Sequence, residues 1–541
     1  MMKRTLGIAS LVAFMLVSPF LGGQSKDFKT GKSLDIQFSV LRELSLFYVD
    51  SIKVDQLVQT GIDAMLESLD PYTVYIPEED EESLEMLTTG TYGGIGALIK
   101  KVEEGIEISE VYDNSPAAKA GIVAGDILLR IDTAYTKNLT VEQCSSRMKG
   151  TPGTTVVFLM KRLRGDKTEE IKITRERIHF PDVPYWGMIS DSVGYIRLTG
   201  FTVDGWKDVK SALVNLRSNQ GMKRLVLDLR GNGGGLLDEA VNIVSLFVPS
   251  GTKVVSALGK YKQTDAIYYT KEEPVDLKIP LIVLVNSGSA SSAEIVAGAL
   301  QDLDRATIAG TRTFGKGLIQ SIRDVGYNNK IKLTTAKYYT PSGRCVQAID
   351  YSNRNEDGSV GSIPDSLVKP FKTRLGRTVY DGGGVTPDVK IDPENYSRVS
   401  LSLIYSDIIR DYSVQFFKTR ESIPSPDKFS ITDAEFEEFV KYASQREFDH
   451  RTASEVEYDK LLSIAKREGL IDEFSEEVKR LESKIKLDKR GAIMKNASEI
   501  RHLLEEEIAS RYYYQRGRIQ SIVRNDEQLM KAAKVELIKT E

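Results

Sequence analysis

One stretch of the chain reads Pro280-Leu-Ile-Val-Leu-Val285, then Asn286-Ser-Gly-Ser-Ala-Ser291-Ser-Ala-Glu294, then Ile295-Val-Ala-Gly-Ala-Leu300. The first part is an apolar run of strand length, the second is a turn of small residues, and the third is an apolar helix. This order predicts a parallel α/β sheet with Ser291 at the start of a helix. Helix starts carry unpaired N–H groups and the positive end of the helix dipole, so this position favours negative charge that develops during a reaction.

A second strand–turn–helix unit precedes the first. Residues 224–230 form an apolar strand, and Gly231-Asn-Gly-Gly-Gly235 and a helix follow it. Sites in parallel sheets form at the carboxyl ends of the strands, so we expect both turns on the same side. An oxyanion there needs N–H donors already in place. The N–H of Ser292 is one candidate, and either Gly233 or Gly234 is the other, because glycine permits close backbone approach.

A lone lysine lies between two glycines in Thr313-Phe-Gly-Lys316-Gly-Leu-Ile-Gln320. The chain has only three histidines, His179, His450 and His502, and none lies in a glycine-rich loop or at a strand end. If Ser291 is a nucleophile, we therefore expect a base other than histidine. A serine–lysine pair is a known alternative to the histidine triad.

A lysine base must be neutral when it acts. An unperturbed lysine has a pKa of about 10.4, so a shift of about three units requires roughly 4 kcal/mol, which burial among apolar groups supplies. Phe314, Leu318 and Ile319 are the expected apolar neighbours of Lys316. Gln320 shares a face with Lys316 in a strand or a helix, and it is placed to orient the amine.

Composition limits the other functions. The 541 residues predict several domains, and a net charge of −4 gives no basic field for nucleic acid. Lys3 and Arg4 precede an apolar run at residues 6–21 and a small-residue site at 23–25, the layout of a secretory signal peptide. We expect export to the periplasm, or attachment to the inner membrane facing it if the signal is not cleaved. The sequence shows no zinc-like cluster, and we expect no metal or cofactor.

Residues 88–178 have the short strands and glycine turns of a separate domain. Ser115-Pro-Ala-Ala-Lys-Ala-Gly121 and the later Gly125-Asp126 resemble the signature of PDZ domains. In that family, backbone N–H groups of a glycine-rich loop bind the terminal carboxylate of a peptide, and a strand edge pairs with the peptide. Matching the sequence to that loop gives five peptide-binding residues: Gly93, Gly94, Ile95, Gly96 and Ala97.

The serine and lysine segments resemble those of the carboxyl-terminal processing proteases, also called tail-specific proteases. The shared pattern includes the turn that ends in Ser291-x-x-Glu-Ile, Gln301-Asp302, and the Thr-Phe-Gly-Lys316-Gly-x-x-Gln segment, with the lysine 25 positions after the serine. The resemblance implies that Ser291 is the nucleophile, Lys316 the general base and Gln320 the residue that positions the lysine. Ser292-Ala293 departs from the more common Ala-Ser, which leaves Ser289 and Ser292 as rivals.

The resemblance implies a multidomain α/β fold: a PDZ domain and a ClpP/crotonase-like α/β protease core with helical regions at both ends. The expected boundaries are a signal peptide at 1–25, a helical arm at 26–87, the PDZ domain at 88–178, the protease core at 179–395 and a charged helical region at 396–541. Within the last region, residues 511–516 mix tyrosine with arginine, and we interpret them as a helix-packing cluster. Residues after Val346 are interpreted as an insertion.

The implied function is a serine endopeptidase that cuts exported proteins near their carboxyl termini after the PDZ domain has captured the tail. Its partners would be unfolded or tail-bearing proteins, and an adaptor protein and a homo-oligomer stay open. Penicillin-binding enzymes also use Ser and Lys, but here Lys29-Thr-Gly31 precedes Ser146-Arg-Met-Lys149, the reverse of their order. An inactive PDZ scaffold that only binds peptides is the remaining alternative.

Overall fold

The computed structural model describes residues 26–538 apart from residues 166, 394 and 472. The predicted signal peptide lies outside the described residues. The chain divides into two compact units, Met1–Tyr75 and Ile76–Glu541. In the first unit, the described elements are helices α1 (Lys26–Phe47) and α2 (Val54–Glu67), with strand β1 (Val74–Ile76) at its end. The Asp70 carboxylate accepts hydrogen bonds from the N–H groups of Tyr72 and Thr73, at 2.8 and 2.9 Å, and so forms the turn that follows α2.

The second unit begins with the predicted PDZ domain, an antiparallel sheet with short helices. Its elements are α3 (Glu81–Thr89), β2 (Thr91–Gly94), β3 (Ala97–Val102), β4 (Gly105–Val111), α4 (Pro116–Lys119), β5 (Ile127–Ile131), β6 (Ala134–Tyr135), α5 (Val141–Met148), β7 (Thr155–Lys161), β8 (Thr168–Thr174) and β9 (Glu176–His179). The sheet order is β3-β4-β5-β7-β8, with β6 beside β5, and β2 pairs with β9 as a separate ribbon. Ser115 and Thr140 cap α4 and α5 through their side chains, as serine and threonine commonly do at helix starts.

A six-stranded sheet is the centre of the predicted protease core. Its first elements are β10 (Tyr185–Met188), β11 (Val193–Arg197), α6 (Gly205–Asn219), β12 (Arg224–Asp228), α7 (Leu237–Ser245), β13 (Lys253–Gly259), β14 (Ala266–Tyr269), β15 (Leu281–Val285), α8 (Ser292–Asp302) and β16 (Thr307–Gly310). β12 and β15 are parallel neighbours, with Asp228 opposite Leu284. The two predicted turns therefore lie side by side at the carboxyl ends of adjacent strands, which confirms that prediction.

The rest of the core is an antiparallel layer and two small ribbons. Its elements are β17 (Leu318–Gly326), β18 (Asn329–Tyr339), β19 (Ile349–Arg354), β20 (Val360–Ser362), β21 (Pro370–Lys372), β22 (Thr378–Tyr380) and β23 (Val389–Lys390). β17 pairs with β18, β18 with β13, and β13 with β14. β23 returns to the six-stranded sheet, whose order is β10-β11-β12-β15-β16-β23. The two ribbons, β19–β20 and β21–β22, contain most of the predicted insertion.

The carboxyl-terminal region is helical, as predicted. It contains α9 (Arg398–Tyr405), α10 (Ile408–Thr419), α11 (Asp433–Ser444), α12 (Ala453–Glu468), α13 (Ser475–Ile485), α14 (Lys489–Lys495), α15 (Ala497–Asn525) and α16 (Glu527–Ala533). α15 is interrupted by non-helical backbone at Tyr513 and Tyr514. Most of these helices share an apolar core of their own, and α16 packs against the protease sheet. Among the described helices, none is long and apolar enough to cross a membrane.

Candidate active site

Ser291 lies at the point where the turn after β15 becomes helix α8. Its φ of +54° and ψ of −115° are rare for a residue other than glycine, and such backbone costs about 1–3 kcal/mol. The carbonyl of Ser291 accepts hydrogen bonds from the N–H groups of Glu294 and Ile295, at 2.8 and 3.0 Å, and from the Tyr338 hydroxyl at 3.2 Å. These contacts hold the strained residue in place, with its side chain half-buried at the carboxyl edge of the sheet.

The hydroxyls of the two rival serines, Ser289 and Ser292, each donate a hydrogen bond to a backbone carbonyl. Ser289 is buried, and its hydroxyl donates to the Leu229 carbonyl at 2.7 Å. Ser292 is also buried, and its hydroxyl donates to the Gly235 carbonyl at 2.8 Å. Both side chains thereby tie this turn to the glycine turn after β12. This hydrogen bond gives the Ser292 hydroxyl a structural role at a position where the family more often has alanine.

Glu294 connects the serine turn to the lysine segment. Its buried carboxylate accepts from the Ser291 N–H at 3.0 Å, the Thr313 hydroxyl at 2.6 Å, the Gly315 N–H at 2.7 Å and the Lys316 N–H at 2.8 Å. Burial raises the pKa of this carboxyl, and the four donors oppose that rise. Our sequence prediction did not include Glu294. The Ser-x-x-Glu spacing of a capping box was the available signal.

The backbone around Lys316 is tightly enclosed. Gly315 has a φ of +88°, and a Cβ atom there would overlap the side chain of Ala348. The N–H of Gly317 donates to Oε1 of the buried Gln347 at 2.7 Å. The start of the predicted insertion therefore packs against the lysine segment and fixes its path.

The side chains expected to surround Lys316 differ in burial. Leu318 is buried, Ile319 is half-buried and Phe314 is 46% exposed, so the apolar contact of Phe314 with Lys316 stays a prediction. Lys316 itself is half-buried. The amide of Gln320 donates to the Thr334 hydroxyl at 3.1 Å, across the β17–β18 pair. The role of Gln320 in positioning the lysine stays a prediction.

The glycine turn meets Ser291 at Gly234. This residue has a φ of +99°, and a Cβ atom there would lie 2.7 Å from the Ser291 Cβ and 2.9 Å from the Ser292 nitrogen. The Gly234 N–H donates to Oδ1 of Asn232 at 2.9 Å. Within the described residues, the N–H groups of Gly233 and Ser292 have no acceptor. Each turn therefore has one unpaired N–H donor next in sequence to this close approach of Gly234 and Ser291.

The motif Gln301-Asp302 lies at the far end of α8. Arg344 is fully buried and forms an ion pair with Asp302 at 2.8 Å, and it donates to Oε1 of Gln301 at 2.7 Å. Asp302 also accepts a hydrogen bond from the Ser342 N–H at 3.0 Å. These contacts fix α8, and with it Ser291, against the segment after β18.

The predicted peptide loop lies before β3, an edge strand of the PDZ sheet. Gly93 and Gly94 belong to β2 and pair with β9, while Ile95 is buried in the domain core. The carbonyls of Ile95 and Gly96 accept from the N–H groups of Ala117 and Tyr112, at 2.9 and 3.0 Å. Hydrogen bonds alternate along an antiparallel pair, so Ala97, next to Gly96, directs its N–H to the open edge.

Three protein-family models match this chain, and several known proteins are similar to it. The model for peptidase family S41 matches residues 192–352, the PDZ model matches residues 84–160, and the model for the C-terminal helical domain of a probable PDZ-protease matches residues 399–535. A carboxy-terminal-processing protease of Bartonella bacilliformis is 39% identical over 327 residues, which are 60% of this chain and 72% of that protein. A probable CtpA-like serine protease of Staphylococcus aureus is 32% identical over 341 residues, 63% of this chain and 67% of that protein. The solved photosystem II D1 C-terminal processing protease is 27% identical and aligns with 66% of this chain and 92% of its own, with a TM-score of 0.36.

Proposed function

This chain belongs to the carboxy-terminal-processing serine proteases of peptidase family S41, and we propose that Ser291 is its nucleophile and Lys316 its general base. The observation that carries this proposal is the shared Glu294 carboxylate, which binds the backbone N–H groups of both residues. One buried group thereby binds the backbone of two residues that are 25 positions apart in the sequence, which supports a shared site. Gln320 is proposed to orient the lysine.

In the proposed reaction, the Ser291 Oγ attacks the substrate carbonyl carbon while the neutral Lys316 amine takes the hydroxyl proton. The carbonyl oxygen becomes an oxyanion, which accepts hydrogen bonds from the Ser292 N–H and the Gly233 N–H. Gly233 is preferred to Gly234 because the Gly234 N–H already donates to Asn232. The lysine then protonates the departing amine, and water hydrolyses the acyl-enzyme with Lys316 as base again.

We further propose that the PDZ domain captures the apolar carboxyl-terminal tail of the substrate. The support is the open edge of β3 beside the Ile95–Gly96 loop, because an extended peptide can add to such an edge as another strand. We also propose that the substrates are exported proteins, met in the periplasm or at the inner membrane. The support is the charged and then apolar sequence from Lys3 to Leu21, which has the layout of a secretory signal peptide.

The test is cleavage of an unfolded reporter protein that ends in an apolar tail, and of the same reporter ending in acidic residues. Wild type should cut the first reporter faster than the second. Ser291→Ala should lower kcat/KM on the first at least about a thousandfold, as expected for loss of a nucleophile. Ser287→Ala changes an exposed serine of the same turn and should cut like wild type. Activity of Ser291→Ala equal to wild type would exclude Ser291 as the nucleophile, and equal cleavage of the two reporters would exclude tail capture.

A further inference from the structure

Arg230 immediately precedes the glycine turn, and its guanidinium contacts both the core and the carboxyl-terminal helices. It forms an ion pair with Asp228 of β12 at 2.6 Å and another with Asp526 at 2.5 Å. It also donates to Oε1 of Gln528 at 2.8 Å. The side chains of Arg230 and Asp526 are only 18% and 13% exposed. A nearly buried charge network therefore holds the residue from which the turn starts.

The two carboxyl-terminal partners are themselves firmly placed. Asp526 caps α16, because its Oδ1 accepts the Leu529 N–H at 2.8 Å. Gln528 is buried, and its amide donates to the Ile391 carbonyl at 2.7 Å. Leu529 belongs to the same apolar cluster as residues of β12 and β15, the two strands whose ends carry the site. α16 is thus fixed to the sheet, with its amino-terminal end at Arg230.

We infer that Asp526 is a positioning residue for the reaction: it holds Arg230, and through Arg230 it sets the geometry of the turn at residues 231–235. This inference rests on the proposed oxyanion role of that turn. Oxyanion donors act because they are fixed before the reaction, and a displacement of about 1 Å can reduce a rate about a hundredfold. The carboxyl-terminal helical region accordingly completes the active site of the protease core.

The Asp526 side chain both caps α16 and forms an ion pair with Arg230, and Asp526→Asn separates these two functions. Asparagine caps helices about as well as aspartate, so α16 should keep its start. The negative charge facing Arg230 is lost, so kcat on the apolar-tailed reporter should fall at least about tenfold, with KM changed less than about twofold. Asp488→Asn is the matched control, because Asp488 caps α14 in the same way, accepting the Gly491 N–H at 2.7 Å, and that helix is not bound to Arg230.

A double-mutant cycle with Arg230→Gln keeps the test decisive even if the variants are less stable. If Asp526 acts through Arg230, Asp526→Asn should have little further effect on kcat in the Arg230→Gln background. A full additional loss there, or a kcat of Asp526→Asn equal to wild type, would overturn the inference. Failure of the proposed function is distinguishable, because it would appear as cleavage by Ser291→Ala or as no cleavage by wild type.

Discussion

At the residue scale, the neighbouring serines of the turn after β15 differ in their hydrogen bonding and backbone conformation. Ser289 donates to the Leu229 carbonyl just before the glycine turn, and Ser292 donates to the Gly235 carbonyl within it, while Ser291 is half-buried in strained backbone at the start of α8. The strain is maintained because Glu294 accepts the N–H of Ser291 and Tyr338 donates to its carbonyl, so both peptide units that flank Ser291 are held. If Ser291 is the nucleophile, as proposed, its backbone loses little freedom when substrate binds, which is the benefit of a preorganised site.

The close contact at Gly234 gives a prediction. An alanine there would combine an unfavourable φ with overlap against Ser291, so we expect Gly234→Ala to displace one of the two turns and to lower kcat/KM at least about a hundredfold. Gly251→Ala is the matched control, since Gly251 has a φ of +79° and a Cβ atom there would meet no atom within 4 Å. Gly251→Ala should lower the free energy of unfolding by about 1–2 kcal/mol and keep full activity. Activity of Gly234→Ala within threefold of wild type would contradict the proposed contact.

Sequence reasoning identified Ser291 and Lys316 because each stands out locally, in a small-residue turn and between two glycines. It missed Glu294 because the significance of that residue depends on donors 19 to 22 residues away, which only the folded chain brings together. It also grouped Phe314 with Leu318 and Ile319 by hydrophobicity, although their burial differs in the fold. Hydrophobicity does not predict such a difference, because exposure of a single apolar side chain is common in folded proteins.

At the scale of elements, α15 shows a feature that the sequence did not predict. Neither proline nor glycine occupies the interruption at Tyr513 and Tyr514, where Tyr514 has a φ of +53°. Tyr513 packs in the core of the carboxyl-terminal helices, whereas Tyr514 packs against the core of the PDZ domain. The interruption therefore lets consecutive tyrosines enter two different cores. This confirms the prediction of a packing role for the aromatic cluster, but the break is a tertiary effect.

Two adjacent glutamates of α15 should have opposite effects on stability as pH changes. Burial raises the pKa of Glu506 to about 7, so the folded state binds more protons than the unfolded state between about pH 4.5 and 7, and the free energy of unfolding falls as pH rises through that window. Burial also opposes the charge of Glu507, but its ion pair with Arg511 at 2.9 Å lowers the pKa of Glu507 overall. Glu507 therefore stabilises the fold above about pH 4.5, and that contribution is lost as pH falls.

The measurement is the Tm of the helical signal for Glu506→Gln and Glu507→Gln from pH 4 to pH 8. Glu506→Gln should become more stable than wild type as the pH rises, by up to about 3 kcal/mol at pH 8. Glu507→Gln should be less stable than wild type at pH 8, with the difference shrinking toward pH 4. Parallel curves for the two variants would show that neither carboxyl has the expected environment.

At the scale of the whole molecule, the carboxyl-terminal helices connect the PDZ domain to the protease core. Gln515 and Arg518 of α15 bind Glu110 of β4, at 2.8 and 3.1 Å. The same helix leads to Asp526, which binds Arg230 beside the glycine turn. The parallel sheet and the PDZ domain were predictable because their signals are local periodicities and turns. This arrangement of domains was not, because it depends on charge pairs between residues hundreds of positions apart.

A buried ion pair attaches the PDZ domain to these helices. Glu107 is 4% exposed and forms an ion pair with Arg410 of α10 at 2.5 Å. Glu107→Gln would remove the buried carboxylate that binds Arg410 from the PDZ domain and leave Arg410 with the more exposed Asp411 of its own helix, at 2.6 Å. Charged hydrogen bonds of this kind contribute about 1.5–3 kcal/mol. Local opening should therefore become at least about tenfold more frequent, and amide hydrogen exchange in β4 and α10 should accelerate by that factor.

Glu104→Gln is the control. It removes the exposed ion pair with Lys161 within the PDZ domain, at 2.8 Å, and should leave the exchange unchanged, because exposed pairs contribute little. Equal exchange in wild type and Glu107→Gln would mean that the apolar contacts around Tyr514, rather than the buried charges, hold the two domains together.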